Sequence, residues 1–303
     1  VAKYNLPPYS FSPKLVARFP ARSVNNLHRL NRAELEKQVA EQDTAFYLAS
    51  PSLLQQVVKW RDNKLSPDQA QKLEQTLYKY ASRMITRCTP FGAFASTMVM
   101  KWGEQDEVRK AESIQLHNQL DGAFLGALIR KLQGWPEVKH QLRYFPNSTC
   151  FSQGGQVRYY EYNIINSRRE YEAAAVDDSL TLQGLLAFAK QGPTYRELQD
   201  WIVQAGFTAN DAQTFVEEVV DAGLLLSELE PAVVGEGHLE CIIKTVLRIH
   251  CNSPAPLITD LLKQLKQVQD GLQNAKEISQ YQAVEQILRL LVPDFDSRSF
   301  FLV

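Results

Sequence analysis

Two arginines four residues apart, Arg83 and Arg87, run directly into Cys88-Thr89-Pro90-Phe91-Gly92, and no other stretch of the chain is better suited to chemistry. On a helix, residues i and i+4 share a face, so both guanidinium groups project the same way. Each is permanently charged and presents a planar fork of donors that fits a phosphate or a carboxylate. Thr89 adds a hydroxyl just beyond. The pattern suits an anion held at a helix end. Nucleophile and cofactor motifs are missing: no Gly-x-Ser-x-Gly, His-Glu-x-x-His, Walker glycine loop or dinucleotide fingerprint. That argues against a self-contained hydrolase, kinase or dehydrogenase. The four cysteines, Cys88, Cys150, Cys241 and Cys251, lie far apart and argue against a disulfide framework or a zinc site. His238 and Cys241 sit about two and a half helical turns or more from His250 and Cys251, too far for one tetrahedral site, so all four read as structural.

The arginine pair needs a helix to hold it. Ser66-Pro67-Asp68-Gln69 supplies a cap, a proline at the first position and a glutamine able to close a capping box. The helix is expected from Pro67 to about Arg87, with Leu73, Leu77, Ala81 and Met84 inward and Thr76, Tyr80, Arg83 and Arg87 on another stripe. Pro90 ends it, and Ala95 to Met100 reads as a strand. Upstream, Leu15, Ala17 and Phe19 alternate, which puts Arg18 on the opposite face of a short strand. Ser50-Pro51 opens another helix. Asp121 is placed to cap a helix carrying Phe124, Leu125, Leu128 and Leu132.

Residues 141–230 read as a unit of their own. Leu142 to Phe151 alternates, Gly154-Gly155 is a hairpin turn, Val157–Tyr162 is a second strand and Arg169–Val176 a third. Helical patterns follow over Leu180–Lys190, Tyr195–Ala205 and Thr208–Ala222, then a returning strand at Leu224–Leu229. Three strands, three helices and a return make a winged helix-turn-helix. Its third helix carries Asp211, Glu217, Glu218 and Asp221 and no base, which opposes DNA phosphate and a transcriptional role. Its apolar positions Ala212, Phe215, Val216, Val219 and Val220 exceed one core stripe. Such an edge beside an exposed third strand suits a peptide added as an extra strand, with Arg169, Tyr171, Ala173, Val216 and Val220 as its expected contacts. From Leu239 the chain reads as helical, with one stripe over Leu239, Ile242, Ile243, Val246 and Leu247.

Composition is that of an ordinary globular protein, 45% apolar and 22% charged over 303 residues, with a net charge of −1. The charge is unevenly spread. Residues 1–89 hold fourteen Lys/Arg against seven Asp/Glu, whereas residues 211–240 hold eight acids and no base. One end attracts nucleic acid and the other repels it. No run approaches a membrane-spanning length and no signal peptide opens the chain, so a cytoplasmic location is expected. The absent initiator methionine and the final run Ser299-Phe300-Phe301-Leu302-Val303 read as a piece of a longer protein.

The Arg-x3-Arg-x-Thr-Pro-Phe-Gly-x-Phe run, Arg83 to Phe94, resembles a signature of class I lanthipeptide (lantibiotic) dehydratases, and Ala49-Ser50-Pro51-Ser52-Leu53 is similar to a second family stretch. The resemblance implies the N-terminal part of a tRNA-dependent glutamylation domain, α+β in class, divided as residues 1–140, an embedded winged helix over 141–230 that holds the leader of a precursor peptide, and a helical continuation over 231–303. It implies transfer of glutamate from glutamyl-tRNA, the co-substrate, to Ser or Thr hydroxyls, and elimination to dehydroamino acids elsewhere in a longer protein. Arg83, Arg87, Thr89, Asp121 and Arg18 carry the implied catalytic roles, with Arg22 a rival to Arg18. The implied partners are a ribosomal precursor peptide, glutamyl-tRNA, a lanthionine cyclase and a second copy of the chain; no cofactor or metal is implied. On this reading the 303-residue chain alone binds leader peptide but does not turn over. A peptide aminoacyl-tRNA ligase of the same superfamily and a non-catalytic precursor-binding scaffold remain as alternatives.

Overall fold

The computed structural model describes residues 10–89, 91–103, 115–165, 168–230, 235–295 and 300–302. Helices and short antiparallel strands mix along the chain, an α+β arrangement. Internal contacts divide it into two units. The first comprises residues 1–119, 273–282 and 297–303, the second residues 120–272 and 283–296.

In the first unit, Lys14–Pro20 pairs antiparallel with Ala95–Lys101, and Arg18 stands opposite Thr97. The alternation is as expected: Leu15, Ala17 and Phe19 are half-buried and Arg18 is exposed. Helices Arg32–Glu41, Asp43–Ala49, Pro51–Arg61 and Pro67–Thr86 enclose a core built on Val39, Phe46, Val57, Leu77, Met84 and Phe94. Ser50 caps the third of these by accepting from the Leu53 amide, with Pro51 at the first position. Ser66 and Gln69 close the capping box of the fourth, on which Leu73, Leu77, Ala81 and Met84 are all buried. The buried leucines and the methionine contribute about 1.5–3 kcal/mol each.

The second unit begins with Gly122–Gln133, whose Phe124, Leu125, Leu128 and Leu132 are buried. The division between the units falls at Gln119/Leu120. The reason is packing: Lys131 Nζ donates to the Leu291 carbonyl at 2.7 Å and Gln133 Nε2 to Ser227 Oγ at 2.8 Å, tying this helix to later elements. Phe151–Gln153, Gln156–Ile165 and Arg168–Asp177 form a three-stranded antiparallel sheet. Its first hairpin turns on Gly154 and Gly155, at φ +64° and +75°, the left-handed region that glycine enters without strain. Tyr144–Pro146 pairs with Leu225–Ser227, and Leu180–Ala189, Tyr195–Gln204 and Ala209–Asp221 lie between in sequence.

Asn147 joins these parts, an arrangement the sequence did not suggest. Its amide donates to the carbonyls of Tyr160 and Gly223, both at 2.9 Å, and its oxygen accepts from the Thr149 amide and hydroxyl. The buried side chain has its hydrogen-bonding capacity filled. Beyond residue 237, Pro256–Asn274 buries Leu261, Leu262, Leu265, Val268 and Leu272. On His238–Asn252 the stripe shifts: Ile249 is buried and Leu247 is 39% exposed.

Candidate functional site

The helix Pro67–Thr86 has a core face and an open face, and the candidate site lies along the open one. Arg87 does not extend the helix. It is the C-cap, with extended backbone, and its amide donates to the Arg83 carbonyl at 3.1 Å. The chain then turns through Gly92, at φ +53°, and the Phe94 amide closes onto the Phe91 carbonyl at 3.2 Å. Phe94 is buried with its ring 5.6 Å from both Tyr80 and Phe91, and 5.8 Å from Phe46. This cluster fixes the Phe91 ring, and the Arg83 guanidinium lies 4.4 Å from that ring's centre. The turn at Gly92 and the rings packed behind Phe91 thus position Arg83 through an aromatic face.

Arg83 and Arg87 line one cleft of about 560 Å³ together with Lys79, Tyr80, Ser82 and Phe91; Tyr78 and Thr86 complete its wall. Among the described residues, three cations and no carboxylate face this space. Among the described residues, neither Lys79 nor Arg87 makes an ion pair, and both are exposed. On the wall, Ser82 Oγ and Arg83 Nε are buried without hydrogen-bond partners among the described residues, a cost the fold carries here. Uncompensated cations around a partly dehydrated wall attract an anion more strongly than solvated ones.

Arg18 and Thr89 are exposed and do not line the cleft. The two candidate N-terminal arginines separate clearly. Arg22 is held by Glu41 at 3.0 Å and Glu34 at 3.8 Å, is 14% exposed, and its amide donates to the Met84 carbonyl. Its charge is neutralised inside the fold. Arg18 makes no ion pair among the described residues. Asp121 belongs to the second unit, where its side chain accepts from the Ala123 amide at 2.8 Å and caps the Gly122–Gln133 helix. Among the described residues, no three His, Cys, Asp or Glu side chains come together as metal ligands.

The expected peptide contacts divide as well. Arg168–Asp177 pairs only with Gln156–Ile165 among the described residues, leaving its other edge open. Tyr171 is 62% exposed and Ala173 is exposed. Arg169 is already engaged. It meets Glu230 at 3.0 Å and lies 4.2 Å from the Tyr162 ring centre, while Tyr162 donates to the same carboxylate at 2.7 Å. Burial first, then the Glu230 hydrogen bond and charge, push the Tyr162 hydroxyl up to about 12. Val216 is a correction: at 0% exposure its side chain is core, because the inward stripe of Ala209–Asp221 runs through Ala212, Val216 and Val219. Val220 is half-buried.

Sequence reading passed over Lys79 and Tyr78. Lys79 stands four before Arg83, so the i, i+4, i+8 run of cations was legible. Glu230 and Tyr162 had no such signal, since their partnership with Arg169 depends on strand register.

The sequence model described as "Lantibiotic dehydratase, N terminus" matches residues 38–298. The subtilin biosynthesis protein SpaB of Bacillus subtilis is 22% identical over 232 residues, 76% of this chain and 21% of SpaB. The nisin biosynthesis protein NisB of Lactococcus lactis subsp. lactis is 21% identical over 252 residues, 80% of this chain and 24% of NisB. The chain therefore spans about a quarter or less of the curated relatives it matches. Among solved structures, the tRNA-dependent lantibiotic dehydratase MibB from a Microbispora species superposes with a TM-score of 0.70 at 17% identity, over 93% of this chain and 28% of MibB. The glutamylation domain TbtB from thiomuracin biosynthesis, bound to 5'-phosphodesmethylglutamycin, gives a TM-score of 0.52 at 15% identity, over 90% of this chain and 33% of that one.

Proposed function

The chain belongs to the lantibiotic dehydratases, as their N-terminal region, and from that premise we propose that it serves tRNA-dependent glutamylation of Ser and Thr in a precursor peptide. The observation that carries the proposal is the cleft faced by Lys79, Arg83 and Arg87, with no carboxylate on its wall among the described residues. Glutamyl-tRNA brings negative charge in two places, its phosphates and the glutamyl side chain, and its acyl ester is already activated. A peptide hydroxyl attacks the ester carbonyl and gives up its proton, and the tRNA hydroxyl leaves with one. No covalent enzyme intermediate is required. Catalysis then rests on positioning and on stabilising charge at the carbonyl oxygen.

In this scheme Arg83 and Arg87 hold the acceptor end or the glutamyl carboxylate, and Thr89 orients an oxygen of the ester. Asp121, beyond its capping bond, positions the donor or the attacking hydroxyl. Arg18 keeps its charge available for the tRNA, whereas Arg22 is spent on Glu41 and Glu34. The segment 141–230 acts as a winged helix-turn-helix that holds the leader peptide along the open edge of Arg168–Asp177. Its contacts run through Tyr171 and Ala173, with Val220 at the margin. Elimination to the dehydroamino acid is the work of another domain, and a cytoplasmic location follows from the need for charged tRNA.

The test is the intact mass of a precursor peptide incubated with glutamyl-tRNA and the protein that contains this chain. Addition of glutamate, as an ester that mild base removes, is the expected result. A base-stable added residue would show a peptide aminoacyl-tRNA ligase instead. An unmodified precursor that still binds would show a scaffold.

A further inference from the structure

The cationic cleft is not isolated. A second cleft of about 380 Å³ shares Tyr78 and Lys79 with it, so the two form one surface along the open face of Pro67–Thr86. Their chemistry differs. The second is lined by Asn31, Gln75 and the apolar Leu35, and its one further cation, Arg32, is already committed. Arg32 meets Glu36 and Glu74, each at 3.2 Å, and its guanidinium lies 4.9 Å from the Trp60 ring centre. Glu74 also lines this cleft, so apart from the shared Lys79 its charges cancel. The shared surface thus runs from an end with unpaired cations to a neutral end of amides and one aromatic ring. Tyr78 is 47% exposed and makes no ring pair among the described residues.

That sorting matches a single-stranded polynucleotide end, which is anionic along its backbone and neutral and flat at its bases. Aromatic faces hold unpaired bases by stacking, and cations track the phosphates. We propose that Tyr78 stacks on an unpaired base at the 3′ end of the aminoacyl-tRNA, Lys79 meets the adjoining phosphate, and the Gln75 and Asn31 amides face the base edge. The acyl end then falls toward Arg83 and Arg87. Asn31 Oδ1 already accepts from the Glu34 amide, which leaves its amide hydrogens for the ligand. This rests on the reading of the cationic cleft as tRNA-facing and assigns the direction in which the RNA lies.

Fluorescence anisotropy with two probes tests it: a tRNA accepting glutamate, and the same tRNA trimmed of its unpaired 3′ nucleotides. Tyr78→Ala should weaken binding of the intact tRNA by about tenfold and leave the trimmed tRNA unchanged, the scale of one lost stacking partner. Tyr78→Phe, which keeps the ring, should bind within about threefold of wild type, which separates stacking from misfolding. Equal affinity of wild type and Tyr78→Ala for the intact tRNA would overturn this inference while leaving the tRNA reading standing. The same holds if Tyr78→Ala weakens both probes alike. Absence of binding by wild type to either probe would overturn both.

Discussion

At the scale of single residues, charge compensation decides which side chains are available for a ligand. Arg22 and Arg18 are close in sequence and alike in type, yet one is locked by Glu41 and Glu34 and the other is exposed without an ion pair among the described residues. Arg22→Ala should therefore cost about 1–2 kcal/mol in denaturant titration, between an exposed and a buried pair. Arg18→Ala should stay within about 0.5 kcal/mol. The reverse order would return Arg18 to the fold and Arg22 to function. Val216 and Tyr171 make a second contrast. Val216→Ala removes two methyl groups from a fully buried site and should destabilise by about 2 kcal/mol. Tyr171→Ala should leave stability nearly unchanged and weaken capture of a leader peptide severalfold, read by calorimetry. An unaltered affinity would remove the strand edge as the peptide's place. Sequence could rank residue types here, but it could not see Glu230 take Arg169 out of use.

At the scale of elements, most of the architecture was legible because local signals agreed with tertiary packing. Ser66-Pro67 with Gln69, Ser50 with Pro51 and the Gly154-Gly155 turn each predicted an element that the structure contains. What stayed hidden depends on contacts between elements: the Asn147 hub, the unit boundary at Leu120 and the shift of a stripe from Leu247 to Ile249. The Thr194 capping box also gives a pH dependence. The Glu197 carboxylate accepts from the Thr194 amide at 2.6 Å and the hydroxyl at 2.8 Å, which holds it below the ordinary range, with the amide the larger cause. A depressed carboxylate stabilises the fold above its unfolded value, about 4.3, and that support is lost as pH falls through the lower folded value. Wild type should lose stability relative to Glu197→Gln as pH drops from about 5 toward 3. Parallel pH profiles for the two proteins would contradict this.

At the scale of the molecule, charge is segregated: residues 1–89 carry an excess of seven positive charges and residues 211–240 carry only acids. A polyanion should approach the first region and avoid the second. Binding of tRNA should weaken with salt, and Arg87→Ala should reduce the slope of log affinity against log salt by about one. An unchanged slope would mean that Arg87 meets no phosphate. The central claim, that glutamate is transferred at the cleft of Lys79, Arg83 and Arg87, is most directly tested by the single-turnover rate of transfer from glutamyl-tRNA to a bound precursor, using the protein that contains this chain. The account predicts that Arg83→Ala lowers that rate by about a hundredfold or more, the cost of removing a donor that acts on developing charge, with precursor binding intact. A variant rate equal to wild type would contradict it.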